Sequence, residues 1–319
     1  MSRAGPDQAP GAFAEGGATP MQYLYQYPDR HGADGDLLDA GPVDEVAAVA
    51  EKASWHGLSF TEHPVPGARW LDAGGHQTLD PLVALGHAAA ATTRLRLLTF
   101  LAVAPYRNPF LLAKAAATVD KLSGGRLILG LGTGYQKSEF FALGVDFEER
   151  NALFDEALDV LPLHWSGEPF SYRGRHFDAR EVIARPRPVQ DPIPIWIGGN
   201  SKLALRRIAE RAQGWMPLTA PQQVARTVRT PYLASTAELA AKIAELRDLA
   251  GDRADQLDVA VAYSDPAIAS PHLDVERHRD TLGQLEAAGA TWVIVAGATS
   301  STAATVEFLD RFGATYIGG

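Results

Sequence analysis

The chain has 319 residues and a formal net charge of −9, and 46% of its residues are hydrophobic, which is typical of a soluble globular protein with a large core. The acidic balance disfavours nucleic-acid binding, and the lack of cysteine excludes disulfides, thiolate nucleophiles and thiolate metal ligands. No apolar run approaches the roughly 20 residues that span a bilayer, so we expect neither nucleic acid nor a membrane as a partner.

The N-terminal segment differs in composition from the rest of the chain. Twelve of its first 20 residues are Ala, Gly or Pro, and the apolar stretch that a signal peptide requires does not follow Arg3. We therefore expect residues 1–20 to form a disordered tail and residues 21–319 to form one cytoplasmic domain.

From Met21 onward, short apolar runs alternate with longer amphipathic segments, which is typical of repeated strand–helix units. Eight candidate strands and eight candidate helices occur in strict alternation, and this pattern predicts an α/β fold, a single (β/α)8 TIM barrel. The predicted strands are residues 22–27, 58–62, 95–101, 127–131, 193–197, 214–218, 257–262 and 292–296. The predicted helices are residues 43–56, 79–91, 109–123, 149–164, 201–212, 236–250, 274–288 and 302–312.

Three insertions interrupt this alternation, at residues 64–78, 166–191 and 219–235. The second insertion is too rich in proline, glycine and aromatic residues for a barrel helix, and we expect it to pack over the barrel mouth. Barrel enzymes build their sites from the loops at the carboxyl ends of the strands. The insertions thus predict walls for a sizeable ligand at the C-terminal face.

A histidine stands at the end of the second predicted strand. Thr61, Glu62 and His63 precede Pro64 and Pro66, which direct the chain out of the barrel. Among nine histidines, only His63 falls directly on a predicted carboxyl-end rim. It is either a catalytic residue that exchanges protons or hydrogen bonds with a bound ring system, with Glu62 orienting it or packing inward, or a satisfied structural histidine.

The fourth predicted strand leaves the barrel through a glycine-rich turn that contains Gly130, Gly132, Thr133, Gly134 and Tyr135. Glycine has no Cβ, so such a turn either lets the backbone approach a ligand or serves a tight strand-to-helix connection. The turn becomes one rim of a pocket if its neighbour in the barrel is also open.

The neighbouring fifth strand ends in Gly198, Gly199, Asn200 and Ser201, directly before a predicted helix. Exposed backbone N–H groups and a helix start make an anion site fit for a phosphate, with Asn200 or Ser201 as the cap. The same residues also suit an unoccupied cap. On the third strand, Thr99 either meets the edge of a ligand or bonds to its own barrel.

The sequence shows no metal-ligand constellation and no serine-hydrolase elbow. Without a metal or a nucleophile, the chemistry is expected to belong to an organic cofactor that the protein positions.

Four segments, taken together, resemble a known family from about Tyr23 to Leu218: the bacterial luciferase-like superfamily of flavin and deazaflavin oxidoreductases. Within them, PYRNP, LSGGR and IWIGGNS are most similar to the branch that uses coenzyme F420, a 5-deazaflavin. The segments are DPLVALGHAAAATTRLRLL, APYRNPFLLAKAAATVDKLSGGRLILGLGTGY, KSEFFALGVDFEERNALFDEAL and RPRPVQDPIPIWIGGNSKLALRRIAERAQGWMPL.

The resemblance implies a flavin-shaped cofactor in the barrel mouth that serves hydride transfer. It implies that His63 faces the deazaflavin and that a bulge with a cis peptide lies behind the ring, near Phe100–Leu101. It places the phosphate at the Gly198–Ser201 helix start. The residues expected to bind the cofactor are Thr99, Phe100, Leu101, Thr133, Gly134, Tyr135, Gly198, Gly199, Asn200 and Ser201.

The chain departs from the sugar-phosphate dehydrogenases that the family contains. Those members carry a catalytic glutamate where this chain has Tyr135, and a tryptophan where this chain has Gly67. Sugar-phosphate oxidation is therefore disfavoured, and Trp70 in the insertion is a candidate to line the pocket instead.

The leading hypothesis is an F420-dependent oxidoreductase that moves a hydride between the deazaflavin and a small organic substrate. The alternatives are an FMN-dependent luciferase-like monooxygenase and a noncatalytic flavin-binding protein. By analogy with relatives, we expect a homodimer formed through barrel helices.

Overall fold

A computed structural model of the protein describes residues 20–31, 35–297 and 301–318. Eight parallel strands close into a barrel with helices between them, which confirms the predicted TIM barrel. Neighbouring strands pair in chain order, and β4 and β8 pair with β5 and β1. The strands are β1 Gln22–Gln26, β2 Gly57–Phe60, β3 Arg96–Thr99, β4 Leu127–Gly132, β5 Ile195–Gly198, β6 Gly214–Met216, β7 Asp258–Tyr263 and β8 Trp292–Ala296.

Helices cover the outside of the barrel and follow the strands in alternation. The barrel helices are α1 Val43–Lys52, α2 Pro81–Ala91, α3 Pro109–Ser123, α4 Arg150–Trp165, α5 Lys202–Arg211, α6 Thr236–Ala250, α7 Val275–Ala288 and α8 Thr302–Phe312. Shorter helices span Ala68–Asp72, Lys137–Ala142 and Gln222–Thr227, with single turns at Ala104–Tyr106, Phe147–Glu149, Gly251–Gln256, Pro266–Ala269 and Gly313–Ile317.

The barrel interior is a packed core. Successive strand residues point to opposite faces, so one set meets the helices and the other fills the barrel. The larger cluster lies between strands and helices. The interior cluster consists of Leu24, Leu98, Ile128, Trp196, Met216, Ala260, Trp292 and Ile294, and Phe100 and Leu101 pack on it.

The third strand is shorter than predicted. β3 ends at Thr99, the Phe100–Leu101 peptide is cis, and Ala102–Val103 then pairs with Leu131 and Gly132 of β4. The cis peptide that the family resemblance implied near Phe100–Leu101 is confirmed. The break places Phe100 and Leu101 at the barrel mouth.

Two of the three insertions border the mouth. Residues 64–78 contain the Ala68–Asp72 helix and a strand, His76–Gln77, that pairs antiparallel with Arg30–His31 after β1. Residues 219–235 contain the Gln222–Thr227 helix and hydrogen bond to Asn200 at the end of β5.

The insertion at residues 166–191 lies elsewhere. It forms a hairpin, Phe170–Arg173 with Asp178–Val182. Phe170 stacks on Phe110 of α3, and His176 bonds to Glu156 of α4. The hairpin therefore flanks α3 and α4, and the prediction that this insertion packs over the mouth is wrong.

The predicted tail falls almost wholly on residues 1–19, which lie outside the described residues. Within the described ranges, no helix is long and apolar enough to cross a membrane.

Candidate functional site

His63 lies at the barrel mouth, three residues beyond β2, and only 9% of its side chain is exposed. Its Nδ1 is 3.2 Å from Glu139 Oε2, and its Nε2 is 3.4 Å from the Tyr135 hydroxyl. Tyr135 follows β4, so the ends of β2 and β4, the two strands that flank β3, meet through this imidazole. The three side chains form a continuous path from a buried carboxylate through an imidazole to a phenol.

Glu139 forms the buried end of this path, and the sequence did not predict it. It lies on the short Lys137–Ala142 helix and is completely buried. Besides His63, it accepts hydrogen bonds from the Tyr106 hydroxyl to Oε2, at 2.8 Å, and from the Val65 backbone N–H to Oε1, at 3.3 Å. A buried carboxylate needs such partners to be tolerated. These bonds fix the carboxylate that orients the His63 ring.

The environment keeps both phenols protonated. Burial, reinforced by the negative charge of Glu139, raises the pKa of Tyr135 to about 12. The same two causes, burial first, raise the pKa of Tyr106. At neutral pH Tyr135 is thus an O–H group that can give a proton, with a nitrogen of His63 beside it to receive or replace that proton.

Glu62 does not orient His63, which was one of its two predicted roles. Its Oε2 accepts the Val103 N–H at 2.6 Å, and its Oε1 pairs with the Arg107 guanidinium, which also binds Asp80. Burial raises the pKa of Glu62, and the positive charge of Arg107 opposes that rise. Glu62 packs inward and holds the chain just after the cis peptide.

The insertion at residues 64–78 supplies an aromatic wall. The Trp70 ring packs against His63 at a centroid distance of 4.5 Å and against His76 at 5.0 Å. The prediction that Trp70 lines the pocket therefore has a geometric basis. A hydrogen bond from the His63 backbone N–H to Thr78 Oγ1, at 2.9 Å, joins the two ends of the insertion.

The Leu101 side chain explains why positions 132 and 198 are glycine. A Cβ on Gly132 would lie 2.2 Å from Leu101 Cδ1, and one on Gly198 would lie 2.3 Å from Leu101 Cδ2. The ends of β4 and β5 are thus bare because Leu101 rests on them. Thr99 is fully buried and donates to the Gly130 carbonyl at 2.7 Å, so it bonds to its own barrel.

Gly199, Asn200 and Ser201, which were predicted to bind an anion or to cap α5, differ in what they do in the structure. Ser201 is the N-cap and accepts the Ala204 N–H at 3.1 Å. Gly199 has φ +104°, a backbone conformation that favours glycine, and a Cβ there would make ordinary contacts with Thr230 Oγ1 at 3.7 Å and Ala204 Cβ at 3.9 Å. Asn200 is fully buried, and its amide bonds to Leu218 and to the Pro231 carbonyl. Asn200 is therefore a clamp that joins the start of α5 to residues 218 and 231, and it does not cap the helix.

The remaining rim residues lie next to Tyr135. Thr133 is half-buried at the exit of β4. Gly134 has φ +76°, and a Cβ there would lie 2.7 Å from Val103 Cγ1. The sequence-predicted residues therefore gather at one mouth, with Thr99 and Asn200 beneath its surface. Across the described part of the chain, no group of three or more His, Asp or Glu side chains could hold a metal ion.

Comparison with known proteins identifies the family of this chain. The family model for luciferase-like monooxygenases matches residues 21–263. An uncharacterised protein of Mycobacterium tuberculosis is 37% identical over 164 residues, 51% of this chain and 57% of that protein. The FMNH(2)-dependent dimethylsulfone monooxygenase of Pseudomonas putida is 29% identical over 175 residues, 54% of this chain and 46% of that protein. The matches thus span about half the length of these relatives.

Solved structures share the fold over nearly the whole chain. Monooxygenase RslO1 from Streptomyces bottropensis superposes with a TM-score of 0.70 at 20% identity, covering 93% of this chain and 99% of that one. The coenzyme F420 dependent tetrahydromethanopterin reductase from Methanopyrus kandleri gives a TM-score of 0.66 at 18% identity, covering 94% and 99%.

The chain belongs to the luciferase-like monooxygenase family, whose members are oxidoreductases or monooxygenases. The relatives and neighbours named above include an FMNH(2)-dependent monooxygenase and a coenzyme F420 dependent reductase.

Proposed function

We propose that the protein is an F420-dependent oxidoreductase that transfers a hydride between the deazaflavin and a small organic substrate bearing a hydroxyl, carbonyl or imine group. The observation that carries this proposal is the hydrogen-bonded path Glu139–His63–Tyr135 at the barrel mouth. Hydride transfer to or from such a carbon is accompanied by a proton on the neighbouring heteroatom, and the path offers a place for that proton.

The residues present fit a flat ring with a phosphate tail. Phe100 and Leu101 are half-buried on top of the interior cluster and offer an apolar floor. Gly199 is half-buried and lies two residues before the N-cap Ser201 of α5, where N–H groups and the helix dipole favour an anion. Thr133 and Tyr135 would border the ring. The cofactor, when bound, supplies the hydride chemistry.

The protein's own groups handle the proton. In the oxidative direction, Tyr135 would accept the substrate proton as it passes its own to His63 Nε2, and Glu139 would stabilise the imidazolium through Nδ1. In the reductive direction, the same bonds run in reverse. Trp70 packs on the imidazole and restricts its rotation. His63 and Tyr135 are therefore the proposed catalytic residues.

The proposal is tested by titrating the purified protein with F420 and, separately, with FMN. We expect micromolar binding of F420 and hydride transfer within a panel of secondary alcohols, ketones and imines. His63→Ala should abolish turnover, whereas His176→Ala, which removes a carboxylate-paired histidine of the hairpin at residues 166–191, should not. Binding of FMN without binding of F420 would overturn the proposal.

The second candidate is an FMN-dependent monooxygenase. The match to the Pseudomonas putida FMNH(2)-dependent enzyme favours it, because that match is found at the level of sequence. Oxygen consumption distinguishes the two candidate functions. Consumption of O₂ by the protein with reduced FMN supports the second, and hydride transfer without O₂ supports the first.

We further propose that the chain is a homodimer that buries the outer faces of α2 and α3. Three large apolar side chains on these faces are exposed: Val83 by 73%, Leu111 by 68% and Leu122 by 71%. Large apolar side chains exposed on two neighbouring helices favour an interface there. Light scattering should give a dimer mass, and Leu122→Glu should shift it to a monomer. A monomeric wild type would contradict this proposal.

A further inference from the structure

The proton path from Glu139 to Tyr135 is closed off from water at its carboxylate end. Glu139 has 1% of its side chain exposed and His63 has 9%. Tyr106 and the Val65 backbone cover the carboxylate. An enzyme that leaves a proton on this path in every turnover must return it to solvent, so the path needs an exit.

A second histidine touches the first. The rings of His63 and His76 are 4.9 Å apart between centroids and nearly perpendicular, at 82°, and Trp70 packs against both. The His76 side chain is 22% exposed, more than twice the fraction of His63. Exposure thus increases along the series from Glu139 through His63 to His76.

His76 has its own carboxylate. Its Nε2 lies 3.5 Å from Asp29 Oδ2, and Asp29 is held in turn by bonds from the Gln26 amide and the Thr61 hydroxyl. Asp29 lies beyond β1, whereas Glu139 lies beyond β4. Two carboxylate–histidine pairs from opposite sides therefore meet at one ring contact. Asp29 and His63 are titratable groups that face His76, and His31 lies opposite it in the strand register.

We propose that His76 is a proton-transfer residue that carries protons between His63 and bulk water, with Asp29 stabilising its cationic form. This inference rests on the proposed function. In oxidation, the carbinol carbon would lose its hydride to the bound cofactor and its hydroxyl proton to the Tyr135–His63 pair, which leaves the carbonyl product. Because both nitrogens of His63 face Glu139 and Tyr135, the proton would reach His76 through one water and would then leave to solvent. Reduction of the carbonyl runs the same steps in reverse.

The direct test measures proton exchange and needs no turnover. In the full-length protein labelled with ¹⁵N-histidine, the exchange rate of the His63 imidazole N–H with water is followed by NMR. His76→Gln retains polar volume near Asp29 but cannot carry a proton at neutral pH, and we expect exchange to slow at least about tenfold. Asp29→Asn is a second variant and should slow it as well. The matched control is His176→Gln, which alters another carboxylate-paired histidine of similar exposure, 23%, in the hairpin of residues 166–191, and should leave the exchange of His63 unchanged.

Chemical rescue gives a second, independent readout. In His76→Ala, added imidazole should restore the exchange rate of His63, because free imidazole replaces the lost proton carrier. Unchanged or faster exchange in His76→Gln, or a slowed rate that imidazole does not restore, would overturn the inference. The proposed function fails separately, if the wild-type protein binds no F420. A wild type that binds F420 and transfers hydride, with His63 exchange unaffected by His76, would retain the proposed function and remove only this role.

Discussion

The Leu101 side chain lies directly on Gly198, so closely that a Cβ at position 198 would stand 2.3 Å from Leu101 Cδ2. Gly132 is equally close on the other side. The apolar floor of the mouth is thus a leucine seated between two bare strand ends. The position of the Leu101 side chain, and therefore the space above it, depends on both glycines.

Gly198→Ala should therefore raise or displace Leu101. Overpacking of this kind costs about 1–3 kcal/mol in unfolding free energy, and affinity for the cofactor should fall because its floor has moved. Gly283→Ala is the control, since its Cβ position on α7 is open and alanine is favoured in helices. Denaturant unfolding and cofactor titration measure both effects. Equal behaviour of the two variants would show that Leu101 accommodates the methyl group freely.

Tyr135→Phe removes the hydroxyl beside His63 Nε2. Loss of a general acid–base group lowers kcat by about 10²–10⁴-fold. Because the pKa of Tyr135 is raised to about 12, the hydroxyl is protonated throughout the range from about pH 6 to about pH 10, and the loss should be the same factor across it. The measurement is kcat against pH. A loss confined to the alkaline end would contradict the raised pKa.

The same raised pKa affects stability. A phenol whose pKa is higher in the folded state than in the unfolded state stabilises the fold below its unfolded pKa, near 10, and this contribution disappears as the pH rises through about 12. The unfolding free energy of the wild type should therefore fall relative to that of Tyr135→Phe as the pH rises above about 10. Paired denaturant titrations of the two proteins check the sign.

Glu139→Gln keeps the shape of the buried side chain and removes its charge. The His63 ring remains in place but loses the stabilisation of its cationic form, so we expect kcat to fall about 10- to 100-fold with little change in cofactor affinity. Tyr106→Phe, which removes one of the donors to Glu139, is the milder companion variant. If both variants retained full kcat, Glu139 would have no role in orienting or charging the imidazole.

Asn200→Ala should loosen residues 219–235. The variant leaves the Leu218 N–H and two carbonyls without their amide partner, which costs about 2–4 kcal/mol for a buried site. Thr230→Val removes only the acceptor of the Asn200 backbone N–H and should cost less. Limited proteolysis within residues 219–235, together with thermal unfolding, measures the effect. Equal resistance of Asn200→Ala and the wild type would refute the clamp.

The barrel was predictable because its signal is local. Each strand is an apolar run and each helix an amphipathic one, so eight repeats can be read along the chain without knowledge of contacts. The end of β3 was not predictable from its own residues, since apolar residues continue beyond Thr99 through Val103 without a glycine, proline or charged residue to mark the break. Only the family resemblance indicated the cis peptide at Phe100–Leu101.

The site was predictable only where its residues follow strands directly. His63 and Tyr135 satisfy that condition, and the structure places them 3.4 Å apart. Glu139 lies 76 residues from His63 on a short helix, and nothing in its neighbourhood marks it as that residue's partner. The second histidine of the mouth, His76, was hidden inside an insertion. Contacts between distant segments decide such pairs, and spacing along the chain does not encode them.

The insertion at residues 64–78 is pinned at both ends. At its start the His63 N–H bonds to Thr78, and near its end the His76–Gln77 strand pairs with Arg30–His31. Between these points the Val65 backbone N–H also bonds to Glu139, and Trp70 packs on His63. Because loop closure costs little more as a loop lengthens, we expect added residues elsewhere between the two points to cost little stability. The wall of the mouth can therefore vary in length while the barrel stays unchanged.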